Sequence, residues 1–271
     1  MAEVPEVETI VRDLRGAVVG RELRGAEVLQ PEALRFPTPE QLDALLAGRA
    51  VVDAQRRGKH ILLPLADDLL LELHFMLWGT LRLVPSGTRR PPETMVVYHL
   101  DGDEELHLRD KLGYARTALD TSAALVERLD LDALGPDALN PDFNTAVLAG
   151  RLARRRGALK SVLINPRVLT GLGNRDADES LWLARIDPRR IPATLTAEEL
   201  ERLRAAIGQV LEEGLALRGT QADLFGQQGR AKHRRYVFER TGMPCPRCGT
   251  RIEHLRLGGR NTHFCPTCQK F

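Results

Sequence analysis

The chain has 271 residues, of which 43% are hydrophobic and 28% charged, and a formal net charge of +2. A chain of this length can bury a full core and divide into roughly two or three domains. It contains neither a run of about 18 apolar residues nor a basic segment leading into an apolar one. We therefore expect a protein of the cytosol that does not enter a membrane. The charge is uneven, because residues 230–271 carry ten Lys/Arg against two Asp/Glu, which leaves −6 on the other 229 residues.

The first helix is predicted at the start of the chain. Pro5 suits a first helical turn, where its missing N–H has no partner, and Glu6 and Glu8 lie where the helix dipole favours carboxylates. Apolar residues recur at helical spacing and predict a buried face: Val7, Ile10, Val11, Leu14 and Val18. A helix docked here would hold the α-amine and Glu3 against a folded body, and an α-amine, with a pKa of about 7.7–8.0, is partly neutral and nucleophilic at cytosolic pH. Taken alone, the pattern also fits a well-capped helix with no chemical role.

Short β-like runs follow the first helix. They cover residues 50–54, 60–65, 69–75, 80–84, 95–100 and 104–108. Asp67-Asp68 and residues 101–103 lie between runs and predict hairpin turns, and residues 86–92 form a polar, proline-containing loop. This half of the chain is predicted to be an antiparallel β-sandwich or barrel with one or two helices.

The pattern becomes helical from about residue 121. Helices are predicted at residues 122–129, 145–154, 159–164, 176–186 and 197–217. Residues 130–142, rich in Leu, Pro and Gly, are the predicted domain boundary, and the polar residues 219–235 are expected to be mobile. A β-rich first half followed by a helical second half predicts an α+β fold.

The basic C-terminal segment contains all four cysteines of the chain. They form two CxxC pairs separated by sixteen residues: Cys245, Cys248, Cys265 and Cys268. Each pair can place two thiolates on one metal from a tight turn, so together they predict a closed, structural zinc site that holds a hairpin too small to fold alone. Arg251, Arg256 and Arg260 lie on that hairpin, where they fit phosphate contact, the alternative being a solvated surface.

Two other motifs are less specific. Gly171-Leu172-Gly173 precedes Asn174 and a helix whose free N–H groups fit an anion such as a phosphate, although Gly-x-Gly is often a simple tight turn. No strand precedes it, which disfavours a dinucleotide-binding fold. Arg56-Arg57-Gly58-Lys59 leads into a strand and on its own fits an exposed basic turn.

The order of these motifs is specific. Five motifs carry a resemblance to a known family: the opening A-E-V-P-E-V-E-T, the R-R-G-K before a strand, L-G-P-D at residues 134–137, G-L-G-N, and the C-terminal G-R-N-T-H-F-C-P-T-C-Q-K. From end to end, the chain resembles the formamidopyrimidine-DNA glycosylase/endonuclease VIII family of bacterial base-excision repair enzymes. The resemblance implies a β-sandwich domain flanked by helices (residues 1–120), a connector (121–142), a helix–two-turn–helix DNA-binding domain (143–229) and a zinc-finger hairpin (230–271). It also implies a monomer that binds double-stranded DNA containing a damaged base or an abasic site, in the bacterial cytosol and on the nucleoid when bound.

The resemblance also implies roles for individual residues. In the family the initiator methionine is removed, and the new N-terminal amine attacks C1′ of the damaged nucleotide and forms a Schiff base. Carried over, Ala2 supplies the nucleophile, Glu3 the acid/base, Lys59 a proton donor in β-elimination, and Arg260 a phosphate contact that supports δ-elimination. Further DNA contacts are implied for His74, Lys111, Lys160, Asn174, Arg251 and Arg256. Leu77 and Leu112 are implied to fill the gap left by the flipped nucleotide.

The chain departs from the family pattern at residue 2, where most members have proline. A primary amine such as that of Ala2 gives an imine that must be protonated to act as an electron sink, whereas proline gives a cationic iminium. Arg175-Asp176 stand where an Ile-Tyr pair is common, and the loops with Leu77 and Leu112 are altered, so lesion preference does not transfer. The predicted function is a DNA glycosylase with AP lyase activity. Ala2 and the altered loops favour the alternative of a catalytically weak or inactive lesion-binding protein, and a zinc-ribbon protein-interaction module is the third candidate.

Overall fold

The computed structural model describes residues 2–271, which form two compact units. The first unit comprises residues up to Asp132 together with Arg218–Gly229, and the second comprises Ala133–Leu217 with Arg230–Phe271. This division groups elements by packing, so the bounds of the four segments implied by the family resemblance stay a prediction. Among residues 2–271, no helix combines the length and apolar character needed to cross a bilayer.

Two antiparallel sheets form the body of the first unit. One has the order β2-β1-β7-β8-β6, from strands β1 (Glu22–Val28), β2 (Arg49–Ala50), β6 (Thr80–Pro85), β7 (Thr94–Leu100) and β8 (Glu104–Arg109). The other has the order β3-β4-β5-β9, from β3 (Gln55–Arg57), β4 (His60–Pro64), β5 (Leu69–His74) and β9 (Arg116–Thr121). Alternate side chains of both sheets, such as Leu63 and Leu108, share one buried core. The predicted β-sandwich is therefore confirmed.

Three helices flank the sandwich: α1 (Val4–Ala17), α2 (Pro39–Leu46) and α3 (Ser122–Arg128). The predicted apolar face of α1 is buried in the core. The sequence-based prediction did not include α2, β1, β3 or β9. It was also too long at residues 50–54, because β2 ends at Ala50 and Val51 makes an isolated bridge to Leu65.

Both predicted hairpin turns are confirmed. Asp67 and Asp68, with φ of 60° and 58°, lie in the turn that joins β4 to β5. Residues 101–103 join β7 to β8.

Residues 218–229 return to the first unit after the helical part of the chain. Arg218 forms ion pairs with Asp13 and Asp223, Thr220 hydrogen-bonds Glu6, and Leu224 is buried in the sandwich core. Side chains far away in the sequence thus contact this segment, and the expectation that it is mobile stays a prediction.

The second unit is helical and ends in a hairpin. Its helices are α4 (Thr145–Leu152), α5 (Leu159–Leu163), α6 (Asn174–Ala184) and α7 (Ala197–Ala216), and its strands are β10 (Glu253–Leu257) and β11 (Arg260–Phe264). The helices share one core, while the hairpin packs around a smaller cluster that contains Trp182, Val237 and Ile252. The predicted helices and the α+β class are confirmed.

Candidate functional site

The start of α1 holds two buried carboxylates in fixed positions. Glu3 is the N-cap residue, and its N–H donates to Glu6 Oε2 at 2.9 Å while its own side chain accepts the N–H of Glu6. Glu6 Oε1 accepts both the N–H and the hydroxyl of Thr220, at 2.7 and 2.8 Å. This reciprocal capping box fixes the backbone beside Ala2 and joins it to residues 218–229.

The turn that carries Lys59 is fixed against the same helix. Gly58 and Lys59 connect β3 to β4, and Gly58 has φ +62°, which favours glycine. The Arg56 side chain is nearly buried; its Nε donates to Glu8 of α1 at 2.8 Å and its Nη1 donates to the carbonyl of Gly58 at 3.1 Å. Lys59 itself is half-buried. The R-R-G-K motif is thus a structural device that sets the position of Lys59 relative to α1.

His74 ends β5 and is held as a neutral imidazole. Its Nδ1 accepts the N–H of Met76 at 3.0 Å, so the ring proton is on Nε2. Burial, aided by the charges of His60, Arg35 and Lys59, lowers the pKa of His74 to about 3. His74 can therefore donate a hydrogen bond to an anion without carrying charge.

The turn after His74 connects it to residue 2. The backbone N–H of Ala2 donates to the carbonyl of Leu77 at 3.2 Å, and Ala2 is buried. Gly79 closes the turn, where a Cβ would lie 2.7 Å from the carbonyl oxygen of Phe75. Within the first unit, the structure therefore brings Ala2 and Glu3 next to the turn that follows His74.

Two loops of the first unit expose apolar side chains. Leu77 is 37% exposed and Leu112 is 52% exposed. The loop of Leu112 is shaped by Asp110, whose carboxylate accepts the N–H groups of Leu112, Tyr114 and Ala115. Apolar side chains held outward by an ordered backbone can be inserted between bases, whereas a flexible loop would lose more entropy on insertion.

A cavity of about 610 Å³ lies beside these loops. Its walls include Trp78, Arg82, Arg109, Lys111, Leu112, Thr220 and Gln221. Trp78 follows Leu77, which binds the N–H of Ala2, and Thr220 binds Glu6. Two residues of the cavity wall, Trp78 and Thr220, are thus connected to the start of α1. Trp78 and Thr220 were absent from the sequence-based site, and nothing in the sequence near residue 220 indicates its contact with Glu6.

The predicted contacts of the second unit meet at one carbonyl group. Lys160 Nζ and Asn174 Nδ2 both donate to the backbone carbonyl of Asn261, at 2.6 and 3.1 Å. Lys160 is fully buried and forms an ion pair of 2.6 Å with Asp178, which also accepts the N–H of His263. In this geometry Lys160 holds the hairpin against α6 and has no exposed surface for a phosphate. Asn174 lies at the start of α6 and is half-buried.

A Lys160→Met substitution is expected to lower the free energy of unfolding by about 3–5 kcal/mol, because it leaves the carboxylate of Asp178 buried and uncompensated. Chemical denaturation followed by circular dichroism measures this loss. Lys111→Met is the matched control, since Lys111 is exposed and its removal should weaken DNA binding with little change in stability. Equal stability of the two variants would contradict the structural role of Lys160.

The three arginines of the hairpin are exposed. Gly258 and Gly259, both with positive φ, form the tight turn between β10 and β11, and Arg260 follows that turn directly. In the described part of the chain, no acceptor holds the guanidinium of Arg260, whereas Arg251 and Arg256 donate to the carbonyls of Gly242 and Gly259. The hairpin thus presents a cluster of cations available to an anionic partner.

The four cysteines form a metal centre at the base of the hairpin. Their Sγ atoms all lie within 4.8 Å of one another, with Cys248 and Cys265 3.5 Å apart and Cys245 and Cys268 3.9 Å apart. A tetrahedral zinc ion with Zn–S distances near 2.3 Å places its sulfurs roughly 3.8 Å apart. The predicted site therefore fits one structural zinc ion, and the indole N–H of Trp182 adds a hydrogen bond to Cys245 Sγ at 3.4 Å.

Three family models match successive parts of the chain. Residues 1–117 match the formamidopyrimidine-DNA glycosylase N-terminal domain, residues 134–225 match the formamidopyrimidine-DNA glycosylase H2TH domain, and residues 242–270 match the zinc finger found in FPG and IleRS. Together these matches cover most of the chain.

Similar proteins match over the full length. The formamidopyrimidine-DNA glycosylase of Moorella thermoacetica is 42% identical over 260 residues, covering 94% of this chain and 95% of the relative, and that of Symbiobacterium thermophilum is 40% identical, covering 99% and 89%. Among solved structures, Lactococcus lactis Fpg in complex with DNA containing an abasic site has a TM-score of 0.92 at 29% identity, with both chains covered completely. The same protein with DNA containing FAPY-dG has a TM-score of 0.91 at 29% identity, covering 99% and 100%.

Proposed function

The chain belongs to the formamidopyrimidine-DNA glycosylase family, and we propose that the amine of residue 2, freed by removal of Met1, is its nucleophile. Family membership makes it a DNA glycosylase of base excision repair whose partner is DNA with a damaged base or an abasic site. Met1 lies outside the described residues, so the intact mass of the purified protein is the direct measurement of its removal. The enzyme is favoured over a catalytically inactive lesion-binding protein.

The observation that carries the proposal is the capped start of α1. The amine of Ala2 attacks C1′, the bond from C1′ to the base breaks, and the base leaves with the electron pair and a proton. The sugar ring then opens: the C1′–O4′ bond breaks, O4′ takes a proton, and the nitrogen lone pair forms the C=N bond of the imine. Glu3 is the group placed to move protons, because its backbone is fixed by Glu6 directly beside residue 2. The resulting imine must be protonated, which adds to the need for a nearby carboxyl group. Borohydride trapping of a covalent adduct on DNA with an abasic site tests the proposal, and its absence in a protein that still binds that DNA would overturn it.

The strand-cleavage steps are assigned to two cations, Lys59 in the first unit and Arg260 in the second. We assign Lys59 as proton donor in β-elimination, supported by the Arg56 contacts that fix its turn against α1. We assign Arg260 to the phosphate and to δ-elimination, supported by its exposed position after the hairpin turn. His74 and Asn174 are proposed to contact the DNA backbone as hydrogen-bond donors. Leu77 and Leu112 are proposed to fill the gap in the duplex.

The cavity beside Trp78 is proposed to receive the flipped base. A base must leave the stack before C1′ can be attacked, and an enzyme that flips it needs a pocket next to the nucleophile. Two wall residues connect the cavity to the start of α1. Trp78 follows Leu77, whose carbonyl accepts the N–H of Ala2, and Thr220 donates to Glu6. Trp78, 55% exposed, offers an aromatic face on which the base can stack.

Trp78→Ala is expected to lower the rate of base excision about 5- to 150-fold, because loss of stacking on an aromatic side chain costs roughly 1–3 kcal/mol per base. Nicking of DNA that already carries an abasic site should fall much less, since no base occupies the cavity there. Single-turnover kinetics on the two substrates measures this difference. Tyr114→Ala is the matched control, because Tyr114 is also exposed but does not line the cavity. Equal losses on both substrates would contradict base stacking on Trp78.

The enzyme is proposed to act in the bacterial cytosol and to associate with the nucleoid while bound to DNA. The basic hairpin with Arg251, Arg256 and Arg260 supports binding to undamaged DNA through phosphate contacts. A fluorescent fusion that overlaps the DNA stain only when the hairpin arginines are present would support nucleoid association.

A further inference from the structure

A histidine and a buried glutamate form a pair on the four-stranded sheet, beside the turn that carries Lys59. Glu72 Oε1 on β5 lies 2.7 Å from Nδ1 of His60, the first residue of β4. Ile61 and its neighbours on alternate positions point into the sandwich core, so His60 and Glu72 lie on the opposite face of the sheet. The catalytic and DNA-contact residues assigned above include neither of them.

The pair fixes the orientation of the imidazole. Glu72 is fully buried between Leu62 and Ala118 of the neighbouring strands, and its Oε2 has no hydrogen-bond partner among residues 2–271. A buried carboxylate accepts hydrogen bonds and needs a partner, so Nδ1 of His60 carries a proton and donates it to Glu72. Nε2 is then the free atom of the ring, and nothing in the described range of the chain hydrogen-bonds it.

His60 lies beside two residues proposed above to act on DNA, Lys59 and His74. Its ring meets His74 edge to face, with centroids 4.7 Å apart, and Lys59 precedes it in the chain. His74 is followed by the turn whose Leu77 carbonyl binds Ala2. A half-buried imidazole with a free Nε2 therefore stands beside His74, proposed to contact the DNA backbone, and Lys59, proposed as the proton donor in β-elimination.

Charged groups lie on several elements near the two histidines, and one of them is Arg35, whose charge acts on His74. Arg57 of β3 is the cross-strand partner of His60, and Lys59 precedes His60 in the turn. Arg116 of β9 is the cross-strand partner of His74. Glu72 is the acidic group of this set. The surrounding cations attract an anion to this position.

We propose that Nε2 of His60 binds a DNA phosphate, and that Glu72 holds the ring so that it takes up a proton from solvent as the phosphate arrives. This inference rests on the proposed function, in which His74 contacts the DNA backbone and Lys59 acts in strand cleavage. An imidazole between a carboxylate and a phosphate donates to both only when both nitrogens are protonated, because a bare Nε2 would turn its lone pair toward the phosphate. DNA binding and proton uptake are therefore coupled at this residue.

The test compares the pH dependence of DNA affinity in two full-length, zinc-loaded proteins. The ligand is a duplex with a tetrahydrofuran analogue of the abasic site, and Kd is measured by fluorescence anisotropy from about pH 6 to 9. The Kd of wild type is expected to rise with pH more steeply than the Kd of a His60→Phe/Glu72→Leu double variant. The two slopes should differ by up to about tenfold in Kd per pH unit, which corresponds to one linked proton. At about pH 6.5 the slope of log Kd against the logarithm of the salt concentration should be smaller in the variant by about 0.9, which corresponds to the loss of one phosphate contact.

Both members of the pair are replaced together because loss of His60 alone leaves an uncompensated buried charge. His60→Gln is the second variant, since it can still donate to Glu72 but cannot take up a proton, and it should lose the same pH dependence. His99→Phe is the matched control, because His99 also faces a carboxylate, Glu105, at 3.3 Å, and it should behave as wild type.

Equal pH slopes in wild type, His60→Gln and the double variant would overturn the proposal. Borohydride trapping by the wild type reports on the proposed function separately. A wild type that traps abasic DNA but shows no proton linkage at His60 therefore removes this inference and leaves the glycosylase mechanism in place.

Discussion

Glu3→Gln is expected to lower the yield of borohydride-trapped adduct and the rate of base excision by roughly 10²- to 10⁴-fold, the usual contribution of a positioned acid–base group. Glutamine is nearly isosteric and keeps an oxygen that can accept the N–H of Glu6, so the capping box and the start of α1 should survive. What is lost is the ability to exchange a proton next to the amine of residue 2. The measurement is a single-turnover trapping assay on DNA with an abasic site.

The control for this experiment is Glu32→Gln, an exposed glutamate in the short helical turn that follows β1. It should trap DNA as well as wild type. The Glu3→Gln protein should also bind abasic DNA with nearly wild-type affinity, because the change removes an acid–base group and no proposed phosphate contact. Full trapping by Glu3→Gln would reject Glu3 as the acid/base.

Removal of the zinc ion, by a chelator or by Cys265→Ser, is expected to unfold the hairpin and abolish most of the affinity for DNA. Zinc binding supplies the folding free energy of such modules, since apparent values reach about 10–16 kcal/mol in zinc-finger peptides. Loss of the ordered hairpin removes the proposed phosphate contacts of Arg251, Arg256 and Arg260. Each charge-assisted contact is worth about 1.5–3 kcal/mol, which is at least tenfold in Kd.

Hydrogen exchange and DNA titration together measure this effect. Residues 242–270 should lose protection while the amides of the sandwich keep theirs, and mass spectrometry of the native protein should show one zinc ion before treatment. Thr267→Ala is the matched variant, because Thr267 lies between two ligand cysteines without supplying a ligand atom. Full DNA affinity in a protein shown to be free of zinc would contradict the role of the hairpin.

The parts of the molecule that the sequence predicts well depend on short-range signals. The zinc centre is predicted by two CxxC pairs, and α1 by proline, acidic residues and apolar spacing within one segment. Helix α2 also carried a local signal, since Thr38 and Gln41 form a capping box around Pro39, but the neighbouring β-like pattern obscured it. Strands β1 and β9 lack a clean alternation because glycine or charged residues interrupt it.

The parts that the sequence predicts poorly depend on partners far away in the chain. Lys160 is an ordinary cation in the sequence, and its burial follows from Asp178 and from a carbonyl about a hundred residues later. Thr220 becomes part of the site through Glu6, which is 214 residues away. Such contacts are set by tertiary packing, which local pattern does not encode.

The return of residues 218–229 to the first unit has a consequence for how the protein is made. The carboxylate of Glu6 receives its hydrogen bonds from Thr220, and the sandwich core receives Leu224, only after the ribosome has synthesised all the helices of the second unit. A nascent chain that ends near residue 132 therefore contains every strand of the sandwich yet leaves a buried acid without these partners and a gap in its core. Domains generally fold as units during synthesis, with the N-terminal one first. In this chain the end that we propose to carry the nucleophile is synthesised first, but its contacts are completed among the last. An unfinished polypeptide therefore does not present the complete proposed site.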